Sequence, residues 1–170
     1  VAPFPQTDAA DVTEVVTNVP AGTFTQLALG YWHACALRKD SNVVCWGVNT
    51  WENASPPAGS FVQVASGAHH SCGLRPNGAI ECWGVKDGVQ GGKGAWDWGQ
   101  VTDTPSGVGY KAISAGYYSS CALNSNDQIE CWGEIGPPLN FTTPTGSFKQ
   151  ISVGGYHACA VDFDDQTVCW

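Results

Sequence analysis

Apolar and polar residues alternate in four short segments of the chain, each opening with an aromatic residue, and this alternation predicts half-buried β-strands. No part of the sequence has a convincing helical period. Each segment is the first of three strand-like pieces, and the second and third pieces hold one cysteine each. The alternating segments are residues 24–28, 61–65, 110–114 and 148–152.

A single motif follows each segment: glycine, four residues, cysteine, nine residues and then Cys-Trp. The first cysteines of the four copies are 37, 49 and 38 residues apart, and a period of this size is typical of repeat architectures. The sequence therefore predicts an all-β chain, a β-propeller-like array of four repeats that share one core. The copies of the motif are Gly30–Trp46, Gly67–Trp83, Gly116–Trp132 and Gly154–Trp170.

Turn-forming residues, such as Pro76-Asn77-Gly78, separate the second strand of each repeat from the third. The two cysteines lie symmetrically about each turn, so we expect them to face each other across a hairpin as a disulfide. Zinc is the alternative, but structural zinc sites usually hold two cysteines about two to four residues apart. Four disulfides indicate an oxidising compartment. The predicted pairs are Cys35–Cys45, Cys72–Cys82, Cys121–Cys131 and Cys159–Cys169.

Acidic residues outnumber basic ones by 15 to 7, which gives the 170-residue chain a net charge of −8. Nucleic acids and other polyanions are disfavoured as partners, because phosphate contacts need clustered Lys or Arg. No apolar run is long enough to span a membrane. The same negative charge would help to keep a secreted protein in solution.

Two N-glycosylation sequons, Asn53-Ala54-Ser55 and Asn140-Phe141-Thr142, occupy the same place in their repeats. Both lie eight or nine residues after a second cysteine and next to prolines, so we expect exposed loops there. The sequence predicts that at least one of these asparagines carries a glycan if the source is eukaryotic. Such a glycan would support an extracellular location.

Two strings of the second repeat carry a family resemblance. Residues 61–74, FVQVASGAHHSCGL, and residues 78–84, GAIECWG, resemble the regulator-of-chromosome-condensation repeat, which also builds the β-lactamase inhibitor protein II. The resemblance covers roughly residues 21–170. It implies a β-propeller in which each repeat forms one blade, and a platform for binding with no catalytic residue to carry over. Propellers of this family usually have about seven blades, whereas this chain has four repeats.

The two ends of the chain differ from the repeats. The fourth copy stops at Cys169-Trp170, and the first 20 residues match no repeat but contain the strand-like stretch Asp11–Val19. That strand either completes the fourth blade of its own chain or pairs with a neighbouring chain. We divide the chain into an N-terminal segment, 1–20, and a propeller-like domain, 21–170. The repeats of that domain are 21–57, 58–105, 106–144 and 145–170.

The linker between the second and third repeats is about 11 residues longer than the others and holds Trp96 and Trp98. Loops on a rigid scaffold often bind ligands, and these two side chains could stack on sugar rings or anchor a protein partner. Alternatively, the two tryptophans fold back on a neighbouring blade. The sequence leaves both arrangements open.

No arrangement of residues predicts catalysis, a metal site or a cofactor. His33, His70 and His157 share one repeat position, but Ser119 interrupts the set, so we expect buried or hydrogen-bonded structural roles. The acidic stretch 162–165 fits a solvated turn better than a Ca²⁺ loop, because no regular set of oxygen ligands accompanies it. We therefore expect a protein that is not an enzyme.

The sequence favours a secreted glycoprotein that serves as a structural subunit. We expect it to assemble head-to-tail into an extracellular oligomer or filament through its N-terminal strand and its repeat ends. The alternative is a monomeric small propeller that binds a carbohydrate or a protein ligand. Trp96 and Trp98 would carry that binding.

Overall fold

The fold is all-β, as the sequence predicted. A computed structural model describes residues 18–86, 97–134 and 142–170, and every regular element in these ranges is a β-strand. Each repeat forms one antiparallel three-stranded sheet whose strand order follows the chain. The strands are β1 (Phe24–Leu29), β2 (His33–Arg38) and β3 (Val43–Gly47) in repeat 1; β4 (Gln63–Ser66), β5 (His70–Leu74) and β6 (Ile80–Gly84) in repeat 2; β7 (Ala112–Ala115), β8 (Ser119–Leu123) and β9 (Ile129–Gly133) in repeat 3; and β10 (Phe148–Val153), β11 (Ala158–Asp162) and β12 (Thr167–Cys169) in repeat 4.

One residue of each hairpin turn has a left-handed backbone conformation, at the same place in all four repeats. Gly78 has a φ of 77° and Asp127 a φ of 64°. Glycine and short polar residues adopt this conformation at the lowest cost, which explains the composition of the turns. The turns thereby set the register of each hairpin. The four left-handed residues are Ser41, Gly78, Asp127 and Asp165.

Each hairpin is closed by its own disulfide, which confirms the predicted pairing across the turn. Cys35 lies directly opposite Cys45 in the register of β2 and β3, with the two Cα atoms 4.0 Å apart. Closing a loop of this length contributes about 2–3 kcal/mol, mainly by restricting the unfolded chain. The other three bonds are Cys72–Cys82, Cys121–Cys131 and Cys159–Cys169.

The sheets pack against one another in chain order through their first strands, β1, β4, β7 and β10. At the first junction, Leu37 and Val43 of repeat 1 pack with Phe61 and Trp83 of repeat 2. Equivalent apolar clusters join repeat 2 to repeat 3 and repeat 3 to repeat 4. Within the described ranges, β10 and β1 share no comparable contact, so the four sheets form an open arc.

The repeat glycines allow neighbouring repeats to approach closely at one end of the arc. A Cβ added to Gly67 would lie 2.3 Å from the carbonyl oxygen of Gly116, and one on Gly116 would lie 2.1 Å from that of Gly154. No side chain fits at such distances, so the close approach requires glycine. The three atoms nearest to a Cβ on Gly154 would all belong to the ring of His157 in its own repeat.

In the part of the chain that the structure describes, no helix has the length and apolar character needed to cross a membrane.

Candidate assembly and binding surfaces

Three kinds of polar contact recur between one repeat and the next, and within each kind the earlier and the later repeat always keep the same roles. The first is a main-chain hydrogen bond. The aromatic residue that opens a repeat donates its N–H to the left-handed turn residue of the repeat before it. These bonds are Phe61 N–H to Ser41 O (2.8 Å), Tyr110 N–H to Gly78 O (3.0 Å) and Phe148 N–H to Asp127 O (2.8 Å).

In the second kind of contact, a glutamine on the first strand reaches the main chain of the next repeat. Gln26 donates from Nε2 to Val64 O and accepts from Val64 N–H, both at 3.0 Å. Gln63 makes the same two bonds with Ile113, at 3.0 and 2.9 Å. Each glutamine amide therefore makes one donated and one accepted hydrogen bond to the main chain of the neighbouring sheet, as a residue of a paired strand would.

In the third kind, a buried histidine bonds to a buried serine of the next repeat. His33 Nε2 lies 2.8 Å from Ser71 Oγ, and His70 Nε2 lies 2.8 Å from Ser120 Oγ. Burial, helped by neighbouring histidines, lowers the pKa of His33 to about 4 and that of His70 to about 3, so both rings are neutral at pH 7. The structural role expected of these two histidines is confirmed.

Repeat 4 presents the same contact groups at the end of the arc. Gln150 corresponds to Gln26 and Gln63, and its side chain is exposed. His157 is also exposed, unlike the buried His33 and His70, so the burial expected of all three histidines holds for those two and not for His157. We call this surface the leading face, and its residues are Gln150, Gly154, His157 and Asp165.

Repeat 1 presents an apolar surface at the opposite end. Leu27 is 63% exposed, whereas Val64, Ile113 and Ile151 at the same repeat position are 1%, 3% and 8% exposed. The difference arises because a preceding repeat covers each of those three residues. Leu29 is likewise 72% exposed. We call this surface the trailing face, and its residues are Phe24, Leu27 and Leu29.

Aromatic residues that follow the repeat glycines meet at one end of the arc. The ring of Tyr117 lies 5.6 Å from that of Tyr31 and 6.1 Å from that of Tyr156, measured between centroids. Tyr118 contacts Tyr117 at 4.4 Å and Trp98 at 6.4 Å. Tyr31, Tyr156 and Trp98 are exposed. We call these five residues the aromatic surface.

The residues predicted to form sites lie in different environments, and some lie outside the described residues. Trp98 belongs to the aromatic surface, whereas Trp96, Asn140 and most of the predicted strand 11–19 lie outside the described residues. Asn53 is buried, in contrast to the exposed loop that its sequon led us to expect. Its Nδ2–H donates to a main-chain carbonyl oxygen of the same linker at 2.9 Å, and a glycan would displace that bond. Glycosylation at these asparagines stays a prediction.

No role was predicted from the sequence for the tyrosines of the aromatic surface. A signal was present, because the two positions after each repeat glycine hold at least one aromatic or imidazole ring in every copy. Convergence of residues from different repeats depends on how the repeats pack, which the sequence of one repeat does not show. They converge here because the first strands lie side by side and end at the same edge of the arc. The rings are those of Tyr31, Trp32, His69, Tyr117, Tyr118 and Tyr156.

Residues 24–50 match the Regulator of chromosome condensation (RCC1) repeat. The chain is similar to the ectodomain of the receptor kinase CR4 from Physcomitrella patens, with 27% identity, a TM-score of 0.75 and coverage of 94% of this chain and 44% of that one. It is also similar to the CRINKLY ectodomain of the receptor kinase ACR4 from Arabidopsis thaliana, with 26% identity, a TM-score of 0.68 and coverage of 86% and 50%. No curated protein matches the sequence significantly.

Prp20p from Saccharomyces cerevisiae shares the fold, at 18% identity and a TM-score of 0.66 over 86% of this chain and 44% of that one. The chain thus spans half or less of the length of these solved structures. The matched repeat, the four similar sheets and the propeller neighbours agree with one another. The chain is an array of four propeller-like repeats, each closed by one disulfide, and the first of them matches the RCC1 repeat.

Proposed function

We propose that the chain is a non-enzymatic, extracellular binding module that serves as an assembly subunit, in which the leading face of one copy receives the trailing face of another. One observation carries this proposal. Gln150 is exposed, although Gln26 and Gln63 at the same repeat position each clamp the main chain of the following repeat. Leu27 of a second copy would be the residue that receives Gln150, because Leu27 holds the same repeat position as Val64, which receives Gln26 within the chain.

A junction between copies would repeat the contacts that join repeats within the chain. Asp165 O would accept from Phe24 N–H, and Gly154 would meet Gly30, as their equivalents do inside the arc. Burying the exposed leucines of the trailing face would contribute about 1.5–3 kcal/mol for each side chain. Such a head-to-tail contact either closes into a ring or extends into a filament.

Two observations support an extracellular setting. Four disulfides are typical of proteins from oxidising compartments, and the plant neighbours are receptor ectodomains. The glycoprotein prediction forms part of the same proposal. Since the Asn53 amide is buried, the proposal assigns an N-glycan to Asn140. Intact mass before and after enzymatic deglycosylation of protein secreted from a eukaryotic host tests this assignment.

Sedimentation velocity over a range of concentrations tests the assembly. Gln150→Ala should weaken association through the leading face, and Leu29→Lys should weaken it through the trailing face. Gln128→Ala and Val108→Lys are the matched controls, because both residues are exposed and lie outside the two faces. The controls should associate as the unmodified chain does.

Mixing the two weakened variants distinguishes head-to-tail contact from other modes. Gln150→Ala keeps an intact trailing face and Leu29→Lys keeps an intact leading face, so the mixture should form a heterodimer that neither variant forms alone. A chain that stays monomeric at millimolar concentration would overturn the proposal. Association that is unaffected by either variant would do the same.

In this proposal the N-terminal segment also contributes to self-association, by pairing with a neighbouring chain. A variant lacking residues 1–17 separates the two contributions. If the segment pairs with a neighbouring chain, its deletion should weaken association of the intact repeats. If association persists unchanged, the repeat faces alone carry it.

A further inference from the structure

The aromatic surface borders a shallow groove at the end of the arc where the repeat glycines meet. The groove has a volume of about 230 Å³, and Tyr31, Tyr117 and the repeat glycines line it. Because glycine has no side chain, main-chain groups form the floor of the groove. Tyr156 lies beside Tyr117, with the planes of the two rings 33° apart. A row of tyrosine rings therefore borders a floor of main-chain groups.

The lack of charged side chains among the described residues that line the groove limits the classes of ligand that it can bind. No charged side chain lines it among the described residues, and the chain carries a net charge of −8, so a phosphorylated or sulfated ligand is disfavoured. Burial raises the pKa of Tyr117 and of Tyr118, so both phenols stay protonated at pH 7. The groove thus offers uncharged main-chain hydrogen-bonding groups and tyrosine ring faces.

From these features we propose that the aromatic surface binds a neutral oligosaccharide. A sugar ring has a face of C–H groups that stacks on aromatic side chains, and hydroxyl groups that bond to main-chain carbonyls and phenols. Tyr31, Tyr117 and Tyr156 come from three different repeats, so they can contact successive units of one glycan chain. The groove borders the proposed junction between copies, because Leu29, Gly30 and Gly154 also line it, but a ligand site goes beyond the proposed assembly.

Titration calorimetry tests this inference in the Gln150→Ala background, which separates ligand binding from association. The probes are maltohexaose, cellohexaose and chitohexaose, with a heparin hexasaccharide and a proline-rich peptide for comparison. We expect at least one neutral oligosaccharide to bind and to change the fluorescence of Trp98. Tyr31→Ala and Tyr156→Ala should each weaken that binding about tenfold. Tyr31→Phe should retain it, because the ring face remains.

Phe163→Ala is the matched control, since Phe163 is an exposed aromatic residue on the hairpin turn of repeat 4 and lies outside the aromatic surface. Its binding should equal that of the background. The inference fails if none of the three neutral oligosaccharides binds, or if the tyrosine variants bind as tightly as the control. Binding of the heparin hexasaccharide or the proline-rich peptide alone would also overturn it, and would assign the surface to that class of ligand.

Discussion

His70 Nε2 and Ser120 Oγ lie 2.8 Å apart across the junction between repeats 2 and 3, and both residues are buried. The bond is a directional contact within an otherwise apolar interface. Two apolar surfaces can shift slightly against each other at little cost in energy. This hydrogen bond, in contrast, has one favourable distance and angle. It therefore fixes the position of one repeat relative to the next.

We predict that Ser120→Ala lowers the free energy of unfolding by about 1–3 kcal/mol, because a buried His70 nitrogen loses its partner. Urea unfolding with the disulfides intact measures the change. Ser125→Ala is the control, since Ser125 is exposed on a turn and its loss should have almost no effect. Equal stabilities of the two variants would show that the bond contributes nothing.

We predict that the protein loses stability as the pH falls from about 6.5 towards 4. The pKa values of His33 and His69 are lowered to about 4 and that of His70 to about 3, chiefly by burial. The unfolded chain takes up protons on these histidines below pH 6.5 while the folded chain does not, so protonation favours unfolding. Each histidine contributes a slope of about 1.4 kcal/mol per pH unit in this window.

Urea midpoints at pH 7.5, 5.5 and 4.5 measure this slope. His70→Gln should reduce this slope, and Ser125→Ala should leave it unchanged because it removes no titratable group. A slope that is the same in all three proteins would contradict the assignment to buried histidines.

We predict opposite consequences for alanine at two repeat glycines. Gly116→Ala should destabilise the single chain by about 1–3 kcal/mol, because the new Cβ would lie 2.1 Å from Gly154 O. Gly154→Ala should change the stability of the single chain little, since the atoms nearest to the new Cβ belong to the exposed ring of His157, which can rotate away. The same variant should weaken self-association, which sedimentation velocity measures. Strong self-association of Gly154→Ala would argue against close approach of a second copy there.

We predict that Ala34→Ser tightens association between copies. His157 of one copy would face position 34 of the next, where serine supplies the partner that His33 finds in Ser71. One such bond contributes about 1 kcal/mol, which corresponds to a several-fold lower dissociation constant. Ala158→Ser is the control, because repeat 3 has Ser119 in place of the histidine and no gain should follow.

Much of the fold could be predicted because local signals agree with one another. The hairpin turns around Gly78 and Asp127 have residues that suit a left-handed conformation, and the spacing of each cysteine pair about its turn fits the register. These signals act within about ten residues of chain. The number of repeats and the disulfide pairs follow from them directly.

The surfaces could not be predicted in the same way, because they depend on contacts between distant residues. The sequon at Asn53 gives no information on the linker conformation, which turns the amide inward to Val48 O. Likewise, nothing local distinguishes Gln150 from Gln63. Their difference in environment arises only because a further sheet lies beside one of them.

In the recurring contacts between repeats, the earlier and the later repeat contribute different groups. The two ends of the arc are therefore chemically unlike, which gives the arc a polarity. In the proposed assembly, subunits would add by a different chemistry at each end, through glutamine and histidine at one and through leucine at the other. A copy with Gln150→Ala would still join a growing end through its leucines but would offer a weakened site to the next subunit. Small amounts of this variant would therefore act as a chain terminator and set the length of the polymer.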